Sequence, residues 1–211
     1  MRASEAVADP VVFHFASGCL CLDFANTKSW RPSAAPHERL HHFDDLVCWG
    51  ERAHLLAPAQ AARLRTSGRR GGAGAALLRE ARGLREALYR TFAAVADGAH
   101  ADGADAARLY AGCAGLLRGT RVSARGGALT ADVPGAGRTS ASVERLVLWP
   151  VLWSAMRLFA APELAHVRKC AAPDCGWLFV DATKNRSRRW CAMRVCGNRD
   201  KVRRYRRRAA G

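Results

Sequence analysis

The sequence predicts an α+β chain: a mainly α-helical N-terminal domain with a small antiparallel sheet, then a short C-terminal module of β-hairpin and basic helix organised by four cysteines. Three observations predict it. Apolar residues recur at three and four through much of residues 1–164, two cysteine pairs of matched spacing lie near the end, and positive charge gathers around those pairs. A chain of 211 residues has room for one ordinary domain and a small appendage, which we place at 1–164 and 165–211.

The elements follow in order. Gly18-Cys-Leu-Cys-Leu-Asp-Phe-Ala-Asn-Thr27 alternates small or polar with apolar residues and is expected to be a short strand ending in a turn. From Glu38 to Leu56, the residues Leu40, Phe43, Leu46, Val47, Trp49 and Ala53 mark an amphipathic helix. Pro58 suits the first turn of another helix, reaching Leu64. Residues 65–75 read as a flexible loop; their glycines match neither a dinucleotide fingerprint nor a phosphate loop, because no strand precedes them and no Gly-Lys-Ser/Thr follows.

Leu77, Leu84, Leu88, Phe92 and Val95 mark a long helix that Gly98 can end, and a further helix is expected from Asp105 to Leu117. Residues 120–133 place Arg125-Gly-Gly127 between two alternating runs, the pattern of a β-hairpin, whose strands could pair with the segment at Leu20. From Ser142 to Ala160 the chain is apolar nearly all round. That predicts a central helix built on Trp149 and Trp153 and kinked by Pro150. Pro162 to Lys169 is the expected hinge to the C-terminal module.

Charge narrows the class of partner. The chain carries 34 Lys and Arg against 18 Asp and Glu, a formal net of +16. Residues 165–211 hold 14 of the basic and 3 of the acidic residues, net +11, so the anionic partner belongs to that end. No run approaches the roughly 18 apolar residues of a membrane span, and the N-terminal segment with Glu5 and Asp9 lacks a signal-peptide pattern. A cytoplasmic, nucleoid-associated and therefore reducing setting is expected, in which patterned cysteines hold metal rather than disulfides.

Cys170, Cys175, Cys191 and Cys196 form C-x4-C-x15-C-x4-C. Each short-spaced pair can supply one edge of the thiolate tetrahedron that zinc prefers, and a module of this size needs such a staple to fold. Within the insert, Trp177 to Val180 is strand-like, Ala182 to Ser187 turn-like, and Arg188-Arg-Trp190 leads back to the second pair. The expected cofactor is one structural Zn2+; four protein ligands leave no open position for catalysis. Cys19, Cys21, Cys48 and Cys113 read as small buried hydrophobes.

The run Cys175-Gly-Trp-Leu-Phe-Val-Asp181, Asn185-Arg-Ser-Arg-Arg-Trp-Cys191 and Cys196-Gly-Asn-Arg199 resembles the CGNR zinc finger. Leu20-Cys-Leu-Asp-Phe-Ala-Asn-Thr27 and the Leu40–Leu56 helix resemble the ABATE domain of bacterial stress-induced transcription regulators. The resemblance implies a DNA-binding regulator with a zinc-bound C-terminal module and an N-terminal domain for signal sensing or dimerisation.

Gly197 would permit a sharp turn and Asn198 would cap a helix from Arg199 to about Ala209, on which Val202 and Tyr205 form a narrow apolar stripe suited to packing beside Trp177 or Trp190. Lys201, Arg203, Arg204, Arg206 and Arg207 make the rest cationic, with Asp200 and Arg204 the one favourable i,i+4 pair. Lys184, Arg186, Arg188 and Arg189 are expected to grip phosphates alongside, and Asn198 and Arg199 are the candidates for base contact. Double-stranded DNA is the expected partner. RNA is the rival, since Trp177, Phe179, Trp190 and Tyr205 could stack on bases. A single module covers few base pairs, so a homodimer is expected.

In the N-terminal domain, Asp23 and Asn26 are the candidate ligand-binding residues, capping of the following turn being the competing role. His41-His42 with Asp44-Asp45 reads as a solvated face, because adjacent positions on a helix point apart. No nucleophile can be paired with a base, so no catalytic residue is assigned; an enzymatic or small-ligand-binding N-terminal domain, with a small-molecule effector, is the alternative.

Overall fold

The computed structural model describes residues 12–70, 72–117, 121–125, 128–132 and 144–209. In chain order these form helix α1 (Leu20–Ala25), strands β1 (Lys28–Ser29) and β2 (His37–Glu38), and helices α2 (Phe43–Arg52), α3 (Pro58–Gly68), α4 (Ala73–Ala96) and α5 (Gly103–Leu117). Strands β3 (Arg121–Arg125) and β4 (Ala128–Asp132), helix α6 (Trp149–Phe159), strands β5 (Val167–Lys169) and β6 (Leu178–Val180) and helix α7 (Asn198–Ala209) follow. Among the described residues the strands pair as three antiparallel two-stranded units, β1 with β2, β3 with β4 and β5 with β6.

The spine is α4. Leu78, Ala81, Leu84, Leu88 and Phe92 recur at three and four and are buried against α1, α2, α3 and α5. Gly98, at φ +66°, follows its end, as expected. Trp49 of α2 is buried and meets Phe24 of α1 edge to face at 4.9 Å; Phe92 stacks on Phe159 of α6 at 4.9 Å.

Several expectations need correction. The Leu20 segment is a helix, with Leu22 and Asp23 N–H both donating to the Cys19 carbonyl at 3.0 Å. All residues from Cys21 to Ala25 are buried, so the alternation in sequence reflects enclosure on every side rather than a half-buried strand; among the described residues β3 and β4 pair with each other. Helix α2 is shorter than its apolar pattern, since Glu38 belongs to β2. Residues 65–68 continue α3, and the intended loop shrinks because Gly68 and Gly74 let two helix ends close over the Phe43 ring, which a Cβ at either site would strike.

Helix α6 is not all-round buried. Val151, Leu152, Ala155 and Leu158 face the core, while Trp153 is 47% exposed and stacks on Trp149 at 5.5 Å. Pro150 occupies its first turn, where a missing N–H costs nothing, and a π-helical turn (Glu144–Leu148) precedes it. The expected hinge is a 3-10 turn (Pro162–His166) and strand β5, whose Val167 is buried in the main core.

Candidate metal centre and nucleic-acid interface

The cysteine module starts as a hairpin around its first pair. Strands β5 and β6 register Val167 with Val180 and Lys169 with Leu178, so Cys170 and Cys175 lie in the connecting loop. The expected hairpin lay between the two pairs; residues 182–192 carry no strand. The loop closes by Cys170 N–H donating to the Trp177 carbonyl at 2.8 Å and Cys175 N–H to the Ala172 carbonyl at 3.0 Å. Gly176 takes φ +70° to leave it.

The second pair arrives through a braced loop. Buried Asp181 accepts from Thr183 N–H at 3.0 Å, Thr183 Oγ1 at 2.6 Å and Arg188 N–H at 2.9 Å; these bonds, those of Thr183 first, hold its carboxyl below the ordinary range. Ala171 N–H donates to the Arg189 carbonyl at 2.8 Å and so sets the returning strand of chain beside the first pair.

All four sulfurs are thereby brought within 4.8 Å of one another, each on a buried residue. Cys175 and Cys191 Sγ are 3.6 Å apart, Cys191 and Cys196 Sγ 3.7 Å. A tetrahedron with metal–sulfur bonds of about 2.3 Å has edges of about 3.8 Å, so the donor set fits a thiolate-held ion. Cys191 N–H points to Cys170 Sγ at 3.4 Å, an outer hydrogen bond suited to a thiolate. Hydrogen bonds from Cys175 and Cys191 favour the ionised form of Cys170, whereas the Cys170 sulfur pushes Cys175 and Cys191 up and burial pushes Cys196 up. Only a cation allows all four to ionise together.

Cys196 belongs to the helix it precedes. A π-helical turn (Met193–Gly197), entered from Ala192 in extended conformation, runs without a break into α7. Cys196 N–H donates to the Ala192 carbonyl at 2.9 Å. Gly197 is helical rather than a turn, and Asn198 is inside the helix, donating from Nδ2 to the Arg194 carbonyl at 3.1 Å instead of capping. The last metal-type ligand therefore fixes the direction of the basic helix.

Trp177 and Phe179 are buried and Trp190 half-buried around the cluster, joined by Trp30 from the N-terminal domain, which the sequence offered no sign of. Val202 and Tyr205 do not join them; they are 49% and 75% exposed.

The expected nucleic-acid contacts divide into two sets. Arg188 is turned inward, stacking over Phe179 at 4.3 Å and donating to the carbonyls of Trp190 at 3.1 Å, Ala16 at 3.0 Å and Cys191. Arg199 pairs with Asp174 and stacks on Trp30 at 4.4 Å; Arg203 and Arg204 share Asp200, each at 3.1 Å, the second being the expected i,i+4 pair. Arg186 donates to the Asp181 carbonyl at an exposed turn, and Arg189 lies over Trp190 at 5.2 Å. Lys184, Lys201, Arg206 and Arg207 are exposed and, among the described residues, form no ion pair. Asn198, Val202 and Arg206 line an open groove of about 550 Å³ with Asp174, Arg194 and Arg199.

Residues 18–162 match the family model ABATE, described as "Putative stress-induced transcription regulator", and residues 166–209 match the CGNR zinc finger. The chain belongs to the ABATE family. Its C-terminal module is of a metal-binding type, in agreement with the clustered sulfurs. No curated protein matches the chain significantly.

In this ABATE domain the two candidate ligand residues are both engaged with the chain itself. Asp23 Oδ1 accepts from Ala16 N–H at 3.1 Å and Ser17 N–H at 3.0 Å, and burial pushes its carboxyl above the ordinary range despite them. Asn26 reaches the finger, its Nδ2 donating to the Leu178 carbonyl at 2.8 Å and its Oδ1 accepting from Leu178 N–H at 3.0 Å. His41, His42, Asp44 and Asp45 do not converge; Asp45 accepts from His42 N–H at 2.7 Å and Asp44 faces Arg69. Among the described residues no helix is long and apolar enough to cross a membrane.

Proposed function

We propose that this chain is a zinc-dependent DNA-binding transcription regulator. Cys170, Cys175, Cys191 and Cys196 hold one structural Zn2+, which supplies a cross-link and no chemistry of its own, and helix α7 carries the charge that meets the phosphates. The observation that carries this reading is the position of Cys196. It stands on the turn that runs unbroken into α7, so a bound ion holds the one strongly cationic helix at a fixed angle to the rest of the module.

Lys184, Arg189, Lys201, Arg206 and Arg207 then serve as phosphate contacts, while Arg188, Arg199 and Arg203 orient the scaffold. Duplex DNA is favoured over RNA because Trp177 and Phe179 are buried around the cysteine cluster and so unavailable for stacking on bases. The ABATE domain senses a signal or makes a homodimer, and acts by binding rather than catalysis. Selection of bound duplexes from a random pool, with and without a chelator, tests the whole reading: an enriched motif that disappears on chelation supports it, and enrichment of no motif reduces the chain to a nonspecific polyanion binder.

A further inference from the structure

We propose that Cys19 and Cys21 form a peroxide-reactive dithiol at the floor of a groove in the N-terminal domain, separate from the metal-type cluster. The two sulfurs lie 3.5 Å apart. Cys19, partly exposed, lines an open cavity of about 530 Å³ together with Leu20, Pro150, Trp153, Ser154 and Arg157; Cys21 lies fully buried behind it. One sulfur can meet a small reagent and the other can only meet the first.

The surrounding hydrogen bonds give the two thiols different tasks. Ser154 Oγ accepts from Cys21 N–H at 3.1 Å, which leaves its own hydrogen for Cys19 Sγ at 3.2 Å. Cys21 Sγ, buried behind Cys19, is placed to donate a second hydrogen bond to that sulfur. Cys19 is thus the better thiolate, its pKa lowered to about 6 by the Cys21 hydrogen bond first, against burial and with help from Ser154, while burial pushes Cys21 well up. The same pattern makes Cys21 a protonated resolving thiol.

The reagent is hydrogen peroxide. The Cys19 thiolate attacks one peroxide oxygen and the O–O bond breaks; sulfur is oxidised to sulfenic acid and the departing hydroxide takes a proton to become water. Cys21 then attacks the Cys19 sulfur, the S–O bond breaks, and the leaving hydroxide takes the Cys21 proton as a second water. The product is a Cys19–Cys21 disulfide, with two thiols oxidised and one peroxide reduced. Closing from 3.5 Å to the roughly 2.05 Å of an S–S bond involves Cys19, the extended residue at the N-cap of α1, and Cys21 on its first turn.

The test uses the intact zinc-loaded chain. Trypsin releases Ala3–Lys28, which holds Cys19 and Cys21 and no other cysteine, so the finger thiols do not interfere. After exposure to hydrogen peroxide this peptide should lose two hydrogens and take up no alkylating reagent until reduced, and in Cys21→Ser a sulfenic-acid trap should add to Cys19. Iodoacetamide should label Cys19 with a midpoint near pH 6 and leave Cys21 unlabelled. Two free thiols in the wild-type peptide after peroxide treatment that converts most of an exposed model thiol would overturn the proposal, as would labelling of Cys21 before Cys19.

Discussion

The side-chain amide of Asn26 and the backbone of Leu178 hold each other by two hydrogen bonds, 2.8 Å and 3.0 Å long, across 152 residues of sequence. Asn26 lends α1 the donor and acceptor of a strand neighbour and so ties β6 to the ABATE domain. Asn26→Ala would leave a buried N–H and a buried carbonyl unmatched, at a cost of about 2–4 kcal/mol. Chemical denaturation should show this loss, and amide exchange at Leu178 should accelerate. Asn26→Asp should not rescue it, because a carboxylate keeps the acceptor but faces the Leu178 carbonyl with no donor.

Two glycines of the module should respond in opposite ways. Gly176 has φ +70°, and a Cβ there would come within 2.9 Å of Pro32 and 3.1 Å of the Tyr89 hydroxyl, so Gly176→Ala should destabilise by more than about 1 kcal/mol. Gly197 is helical, and the nearest atoms to an added Cβ all belong to the side chain of Met193, which is half exposed and can move. Gly197→Ala should therefore be neutral or stabilise by about 0.5–1 kcal/mol, with metal content unchanged. Strong destabilisation by Gly197→Ala in thermal melts would return Gly197 to the turn that its sequence context suggests.

Acid stability should report on a pair inside the ABATE domain. Arg85 is buried and bonds Glu38 through Nη1 and, at 2.6 Å, through Nη2. Burial acts to raise the Glu38 carboxyl, but the Arg85 hydrogen bond and charge outweigh it and lower the pKa to about 2. A depressed carboxylate contributes stability above its unfolded pKa, near 4.5, and that stability disappears as pH falls from there toward 2. Glu86 still pairs with Arg85 at 2.9 Å, so Glu38→Gln should cost about 1–3 kcal/mol at neutral pH, and the mutant should lose less stability than the wild type between pH 5 and about 2. Parallel denaturation curves across that range check both.

Much of this was legible in the chain. The apolar period of Leu84, Leu88 and Phe92 outlined α4 because a long amphipathic helix repeats its signal many times, and the cysteine spacing located the cluster because ligand geometry is local. Six residues of α1 are too few to display a period, and full enclosure hides what remains of it. The role of Asn26 had no local signal, since its partner lies far along the chain. Asn198 misled because a good capping residue carries no sign that the helical run has already begun at Met193. The chemistry of Trp153 and Tyr205 suggests packing, yet both lie exposed, and hydrophobicity alone does not tell a core position from a surface one.

The division of the arginines predicts two kinds of binding defect. Lys201→Ala and Arg207→Ala should each reduce the slope of log affinity against log salt by about 1, with little effect on stability. Arg188→Ala should unsettle the module, because its guanidinium bonds three carbonyls and covers Phe179; its defect should appear in denaturation before binding. Titration of a labelled duplex at several salt concentrations separates the two.

The most direct measurement is duplex affinity and metal content on the same preparation, before chelation, after it, and after zinc is returned. The account predicts one zinc per chain, loss of most of the affinity with the metal, and recovery with its return. A metal-free chain that keeps its helix and its affinity for DNA would contradict it.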